Sequence, residues 1–304
     1  HPDSRVRRAD DAFAQPARQA RTLGDGKTLR RLLAYARKIP LLLFIAACTV
    51  VTGGPFLWVT AMSLRTTPEI LDHPYALPKR LHWEKFVHAW TTANYGSYFW
   101  NSTVVVVIAV ALVVVIGAMA AHALARYRFR GSRLVRFLIL SSMMLPPQML
   151  ILSLFQMMFR YGLYNSLTGL VIVYVATQLP LTVYLLESFF TQIPQDLFDA
   201  ARLDGYSDFE IFWRITLPIA LPAVFTTVTL NFILLWNEFL YAVVLLTDNS
   251  KRTLPLGIMQ FMGGHQLDIG MVATGLMIAI LPVILLYAFF SETIIRGMTA
   301  GAVR

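Results

Sequence analysis

The sequence predicts an all-α polytopic membrane protein with six transmembrane helices and both termini in the cytoplasm. Three observations carry this. Of the 304 residues, 57% are hydrophobic and only 14% charged, with a mean hydropathy of +0.59, whereas a soluble domain is about a quarter charged. Six stretches reach the roughly 20 apolar residues that a hydrocarbon core demands of a helix. They lie at about 40–62, 98–124, 137–159, 167–190, 219–246 and 269–291. With the amino terminus inside, 19 of the 26 Lys and Arg fall in cytoplasmic segments and 7 in outside ones, the asymmetry that orients membrane proteins.

The same composition excludes several classes. The chain is too apolar to stay disordered. Its net charge of +9 calls for no nucleic-acid partner, because basic residues gather at the cytoplasmic edges of spans. A single cysteine, Cys48, permits neither a disulfide framework nor a cysteine metal cage.

Taken in chain order, residues 1–38 form a polar leader with ten Lys and Arg. The first apolar run begins near residue 40, too late for a cleaved secretory signal. Within the leader, Leu29, Leu32 and Leu33 among Arg30, Arg31 and Arg37 suit either a helix lying in the membrane interface or a solvated basic tail. Pro55, Pro146, Pro147, Pro180, Pro222 and Pro282 are expected to bend their spans. The outside loop at about 63–97, with Trp83 and Trp90, is expected to cap the outer mouth. The fifth span reads as one helix on which Thr227, Asn231, Glu238 and Tyr241 share a face through offsets of four, seven and three. That stripe, with Asn237 beside it and Gln148 and Gln178 on the third and fourth spans, either lines a polar pathway or bonds the helices together. Tyr174, Gln156 and Tyr184 stand as further lining residues. His122 and His265 have no partners at metal-ligand spacing, so no metal site is expected.

Machinery for bond chemistry is missing from the sequence. Gly26-Lys27-Thr28 looks like the end of a phosphate-binding loop, but Arg21 stands where the first glycine belongs. There is neither HExxH nor GxSxG. An enzyme acting on a lipid-linked sugar is the alternative class, and it has no visible catalytic constellation.

The segment 193–218 differs from every other connection. Pro194 suits a first helical turn, Asp196 favours the start of a helix dipole, and Gly205 falls where a helix ends in a left-handed residue. Ser207 followed by Glu210 is a capping box that starts a second helix. Leu197, Phe198, Ala201, Phe209, Phe212 and Trp213 supply apolar surface that needs a partner, either the chain's own helix ends or another subunit.

Asp199-Ala200-Ala201, then Asp204-Gly205, then Ile215-x-Leu217-Pro218 is similar to the EAA signature of bacterial binding-protein-dependent ABC importer permeases. Other segments agree in order: Asn101-Ser102-Thr103, Ala125-Arg126-Tyr127-Arg128-Phe129-Arg130-Gly131, Gly162-Leu163-Tyr164-Asn165-Ser166, Trp236-Asn237-Glu238-Phe239-Leu240 and Thr253-Leu254-Pro255-Leu256-Gly257. The ensemble resembles the six-span subunit of the maltose-type carbohydrate branch over about 60–304. The resemblance implies a type I importer permease fold over 39–296 and a cytoplasmic tail at 297–304. It implies a non-enzymatic subunit in the bacterial inner membrane that moves a carbohydrate, most simply an oligosaccharide, across the bilayer. Its implied partners are a second permease, two copies of an ABC ATPase and an extracytoplasmic solute-binding protein. No cofactor is bound by this chain, ATP and Mg belonging to the ATPase. By the same resemblance Asp199, Ala200, Ala201, Asp204, Gly205, Phe209, Phe212, Leu217 and Pro218 couple the permease to that ATPase, and the tail is a second contact. The family usually has Glu where this chain has Asp199, one methylene shorter. The Tyr, Trp, Asn and Gln supply suits a neutral sugar; an acidic one would draw on charges elsewhere.

Overall fold

The computed structural model describes residues 38–263 and 267–300, with side chains as far as 289. The leader to Arg37, the phosphate-loop look-alike at 26–28, His265 and residues 301–304 lie outside the described residues. The chain divides into two compact units, 1–59 and 60–304. The first contributes the greater part of α1 (Lys38–Ser63), a helix of apolar residues closed by Ser63.

The second unit is entirely helical among the described residues. Two short helices, α2 (Thr67–Asp72) and α3 (Glu84–Thr91), precede α4 (Tyr95–Arg126). The helix α5 (Ser132–Met143) is followed by α6 (Pro147–Arg160) and α7 (Leu167–Phe190). The connecting segment holds α8 (Gln195–Leu203), α9 (Asp208–Ile211), a π-helical turn (Phe212–Thr216) and α10 (Leu217–Ile219). Then come α11 (Leu221–Trp236), α12 (Leu240–Leu245), α13 (Leu254–Ile258) and α14 (Ile269–Ala300).

Four of these helices, α1, α4, α7 and α14, are long and apolar enough to cross a membrane alone; the number rises to six if each of two bent pairs counts as one span. The first bent pair falls within the expected third span, and the second at the junction of the segment 193–218 with the expected fifth. Between α5 and α6 the chain turns by 104°, because Pro146 and Pro147 withhold two backbone donors and the residue before a proline is driven out of the helical region. The segment Asp208–Ile219 meets α11 at 79°, next to Pro218 and Pro222. The helix expected to run to residue 246 stops at Trp236, and α12 begins only at Leu240. Pro180 and Pro282, by contrast, sit inside α7 and α14 without ending them.

The central pair is α4 with α7, against which α11 packs; α14 packs on α11. In a bilayer such packing rests on close approach rather than on a hydrophobic driving force, so small residues belong at the seams. Gly117 of α4 is one: a Cβ there would lie 2.6 Å from Thr182 Cγ2 of α7. Thr182 in turn accepts from Asn231 Nδ2 of α11 at 2.9 Å, which joins three helices at one point. Among the described residues, two buried clusters stand out. One joins Tyr95, Tyr98, Tyr174, Trp236, Tyr241 and Leu254; the other joins Ala118, Ala121, Leu186 and Phe190 to Phe198, Ile211 and Phe212 of the segment 193–218.

Candidate functional site

The segment 193–218 is built from local bonds in the order its residues suggest. Helix α8 starts one residue later than expected: Pro194 is the residue before the helix, and its first turn begins at Gln195. At the far end Gly205 has φ of +85°. The Tyr206 amide donates to Ala201 O at 3.0 Å and the Gly205 amide to Arg202 O at 3.1 Å, the paired bonds of a Schellman stop. The capping box follows, with Glu210 N donating to Ser207 Oγ and Ser207 N donating to Glu210 Oε2 at 3.0 Å. The Ser207 backbone bond holds the Glu210 carboxyl below the usual carboxylate range, helped by the Ser207 hydroxyl.

The apolar face of this segment divides between the two partners open to it. Phe198, Ala201 and Phe212 are buried in the second core cluster. Leu197, Phe209 (63% exposed) and Trp213 (42%) stay outside, so a ridge of large apolar side chains remains uncovered within the chain. Leu203, at 89% the most exposed of them, and Tyr206 extend it. The sequence reading left out both, although an apolar residue directly before a helix-stopping glycine was a signal for Leu203. Acidic and basic groups border the ridge. Asp199 Oδ1 accepts from Gln195 Nε2 at 3.1 Å and lies 3.7 Å from Arg202. Arg202 also pairs with Asp208 at 3.4 Å, and Arg214 with Glu210 at 3.5 Å. Exposed pairs of this kind are screened by solvent and hold little, so Asp199 is not locked to Arg202. Ala200, Asp204 and Pro218 are exposed and Leu217 is half-buried.

The residues grouped as a stripe separate. Thr227 and Asn231 are buried, Thr227 Oγ1 donating to Ala223 O and Asn231 Nδ2 to Thr182 Oγ1 and Thr227 O. The end of α11 at Trp236 takes Glu238 and Tyr241 off their helical face, which corrects the single-face reading. Asn237 is exposed and donates back to Ile233 O. Glu238 accepts from Tyr174 Oη at 2.7 Å, Tyr241 N at 2.7 Å and Ala242 N at 3.2 Å, and so closes the start of α12. Gln178 and Tyr241 do share a cavity. It measures about 410 Å³ and is lined also by Ser142, Thr177, Pro180, Leu154 and neighbouring residues, at the bend between α5 and α6. Ser142, at the end of α5 beside the bend, and Thr177, next to Gln178 on α7, escaped the sequence reading. Gln148 is exposed on the first turn of α6 and does not line this cavity.

The family model described as binding-protein-dependent transport system inner membrane component matches residues 113–299. The chain is 38% identical over 258 residues to the diacetylchitobiose uptake system permease protein of Streptomyces coelicolor, covering 84% of this chain and 85% of that one. It is 32% identical over 271 residues to the trehalose/maltose transport system permease protein of Thermococcus litoralis, covering 88% and 97%. Among solved structures, a bacterial ABC transporter involved in the import of the acidic polysaccharide alginate matches with a TM-score of 0.72 at 22% identity, over 84% of this chain and 95% of that one.

Proposed function

The chain belongs to the binding-protein-dependent transport system inner membrane component family, and we propose that it is the six-span permease subunit of an ATP-driven importer for an oligosaccharide. The bent pair of α5 and α6 then serves as one span and α11 with α12 as another, both termini face the cytoplasm, and 193–218 lies on the cytoplasmic side of a bacterial inner membrane. The observation that carries the reading is the uncovered ridge of Leu197, Leu203, Phe209 and Trp213 on a segment whose shape is fixed by a Schellman stop and a capping box. A force-bearing contact needs such a surface, apolar, preformed and backed by the chain's own core.

In this reading the ridge seats on an ABC ATPase dimer that binds the ATP and Mg, and Asp199 meets a basic group there by a charge-assisted hydrogen bond. A second permease completes the conduit, and an extracytoplasmic solute-binding protein delivers the sugar. Within this chain Gln178 and Tyr241 are the pathway residues, since they share a cavity. Thr227 and Asn231 serve the bundle, both buried, with Thr227 Oγ1 bonded within α11 and Asn231 Nδ2 bonded across to Thr182 of α7. Neutral oligosaccharide suits the amide, hydroxyl and ring surfaces there, and the relatives named for diacetylchitobiose and trehalose or maltose point the same way.

Purification from the native membrane in mild detergent, followed by mass spectrometry of the co-purifying chains, tests the reading. Recovery of an ATPase and a second permease is expected. A stable chain recovered alone in every detergent overturns it and returns the enzyme alternative.

A further inference from the structure

The cytoplasmic end of α4, in the orientation just proposed, carries a buried and a half-buried side chain, His122 and Arg126, that neither the family match nor the pathway reading assigns. His122 is 5% exposed. Its Nδ1 lies 3.1 Å from Thr216 Oγ1, and its Nε2 has no hydrogen-bond partner among the described residues, so the ring's one polar anchor is the segment 193–218. The ring packs against Phe212 at 5.4 Å, Phe198 at 6.3 Å and Phe190 at 6.4 Å between centroids. One turn on, Arg126 donates to Phe190 O and to Ile193 O, and its Nη1 lies 3.4 Å from Gln195 Oε1. The guanidinium carbon sits 3.8 Å over the Phe198 ring. A cation at the carbonyl end of α7 is favoured by the helix dipole, and its place over an aromatic face adds to that. Tyr127 then reaches the Asp208 carboxylate.

These contacts grip both ends of the segment from a helix that is not covalently next to it. Arg126 holds the exit from α7 and the start of α8, while His122 holds Thr216 at the end of the π-helical turn. Single π-helical turns collect at functional positions because they displace the following side chains by one residue. Here the turn of Phe212–Thr216 places Phe212 and Thr216 on the same histidine. Without the grip, α8 and α9 would be joined to α4 chiefly by apolar contacts such as those of Phe198 and Phe212 with Ala118 and Ala121, which have no fixed direction.

We infer that His122 and Arg126 are positioning residues that lock 193–218 to α4, so that motion imposed on the exposed ridge is delivered to α4 as one rigid body. The inference rests on the importer reading. The first measurement is solute imported per ATP hydrolysed, in vesicles holding the complete complex. His122→Phe keeps the ring and loses the bond; it should lower that ratio about tenfold. Thr216→Val removes the same bond from the other side at nearly constant volume and should lower it equally. The double variant should be no worse than either alone, and His122→Gln, which can still reach the Thr216 hydroxyl, should recover most of the loss. If His122→Phe does not assemble, Thr216→Val carries the test.

The second measurement uses spin labels at Met119 and Asp196 in a Cys48→Ser chain. Their separation should be the same in nucleotide-free and ATP-trapped complexes, and should change between those states once Thr216→Val is added. An unchanged import ratio in both single variants, or a label separation that shifts with His122 and Thr216 intact, overturns the link and leaves the importer reading standing. A wild-type complex that imports nothing with ATP overturns the importer reading, and the link with it.

Discussion

Replacing Gly205 by valine should uncouple the proposed importer without unfolding its helices, and the size of the effect follows from the backbone. Gly205 has φ of +85°, where a side chain is strained whatever room it has. The room is ample, with no atom within 4 Å of an added Cβ, so the penalty is conformational and not steric crowding. For an L-residue it is about 1–2 kcal/mol, at the upper end for a β-branched one. At about 1.4 kcal/mol per tenfold, valine should shift the equilibrium between the Schellman stop and a frayed end by about 30-fold, and alanine by about fivefold. Asparagine, which tolerates the left-handed region better, should lie closest to wild type. Two readouts separate local from global effects. Hydrogen exchange at the Tyr206 amide, which is bonded to Ala201 O, should accelerate by those factors, while amides in α4 and α7 keep their protection. ATP-driven uptake in vesicles should fall in the order Gly, Asn, Ala, Val. A valine variant with wild-type uptake per ATP and a protected Tyr206 amide would refute both the geometry and the role assigned to it.

Four further outcomes are expected. Thr182→Val and Asn231→Leu, in a double-mutant cycle by detergent unfolding, should show a coupling of about 0.6 kcal/mol and at most about 1.7, as interhelical bonds in bilayers do; uptake by the double variant should persist, and its loss would return Asn231 to the pathway. Gly257→Ala places a Cβ 2.3 Å from Tyr98 Cδ2 and should cost about 1–3 kcal/mol by overpacking, recovered in a Tyr98→Leu background; no loss would mean that α13 does not press on α4. Burial pushes Lys85, which donates to Ser63 O and Arg65 O, down to about 8 from its ordinary 10.5. The unfolded chain therefore binds the extra proton between those values, and stability should rise as pH climbs through that window; thermal melts of wild type and Lys85→Met should differ in slope there and nowhere else, and parallel slopes would refute the burial. Glu238→Gln leaves one acceptor oxygen where two now take three bonds and should destabilise the protein by about 1–3 kcal/mol; an unfolding curve superimposable on wild type would show that the start of α12 does not depend on the carboxylate.

What was readable in the sequence divides by the distance over which each feature is made. The capping box of Ser207 and Glu210 spans three residues and the Gly205 stop closes within five, so a short window contains the bonds that make the turn between α8 and α9. The limits of α7 were equally local, with Ser166 accepting from Gly169 N at its start. Periodicity failed at Trp236, because Asn237-Glu238-Phe239 fits a helical pattern as well as the break it actually makes. The deciding partner of Glu238 is Tyr174, 64 positions earlier. Pro146-Pro147 signalled a kink, but only the folded chain turns it into a 104° bend that brings Ser142 to Gln178 and Tyr241. His122 read as a residue with no metal partners, which was sound chemistry applied to the wrong question. Its partner is a hydroxyl 94 residues away, inside the segment whose own shape had been legible. The two findings meet at Thr216: local rules form the lever, and a long-range contact fixes it to α4, so substitutions inside 205–210 should change the lever's shape while substitutions at 122 and 126 should change what it moves.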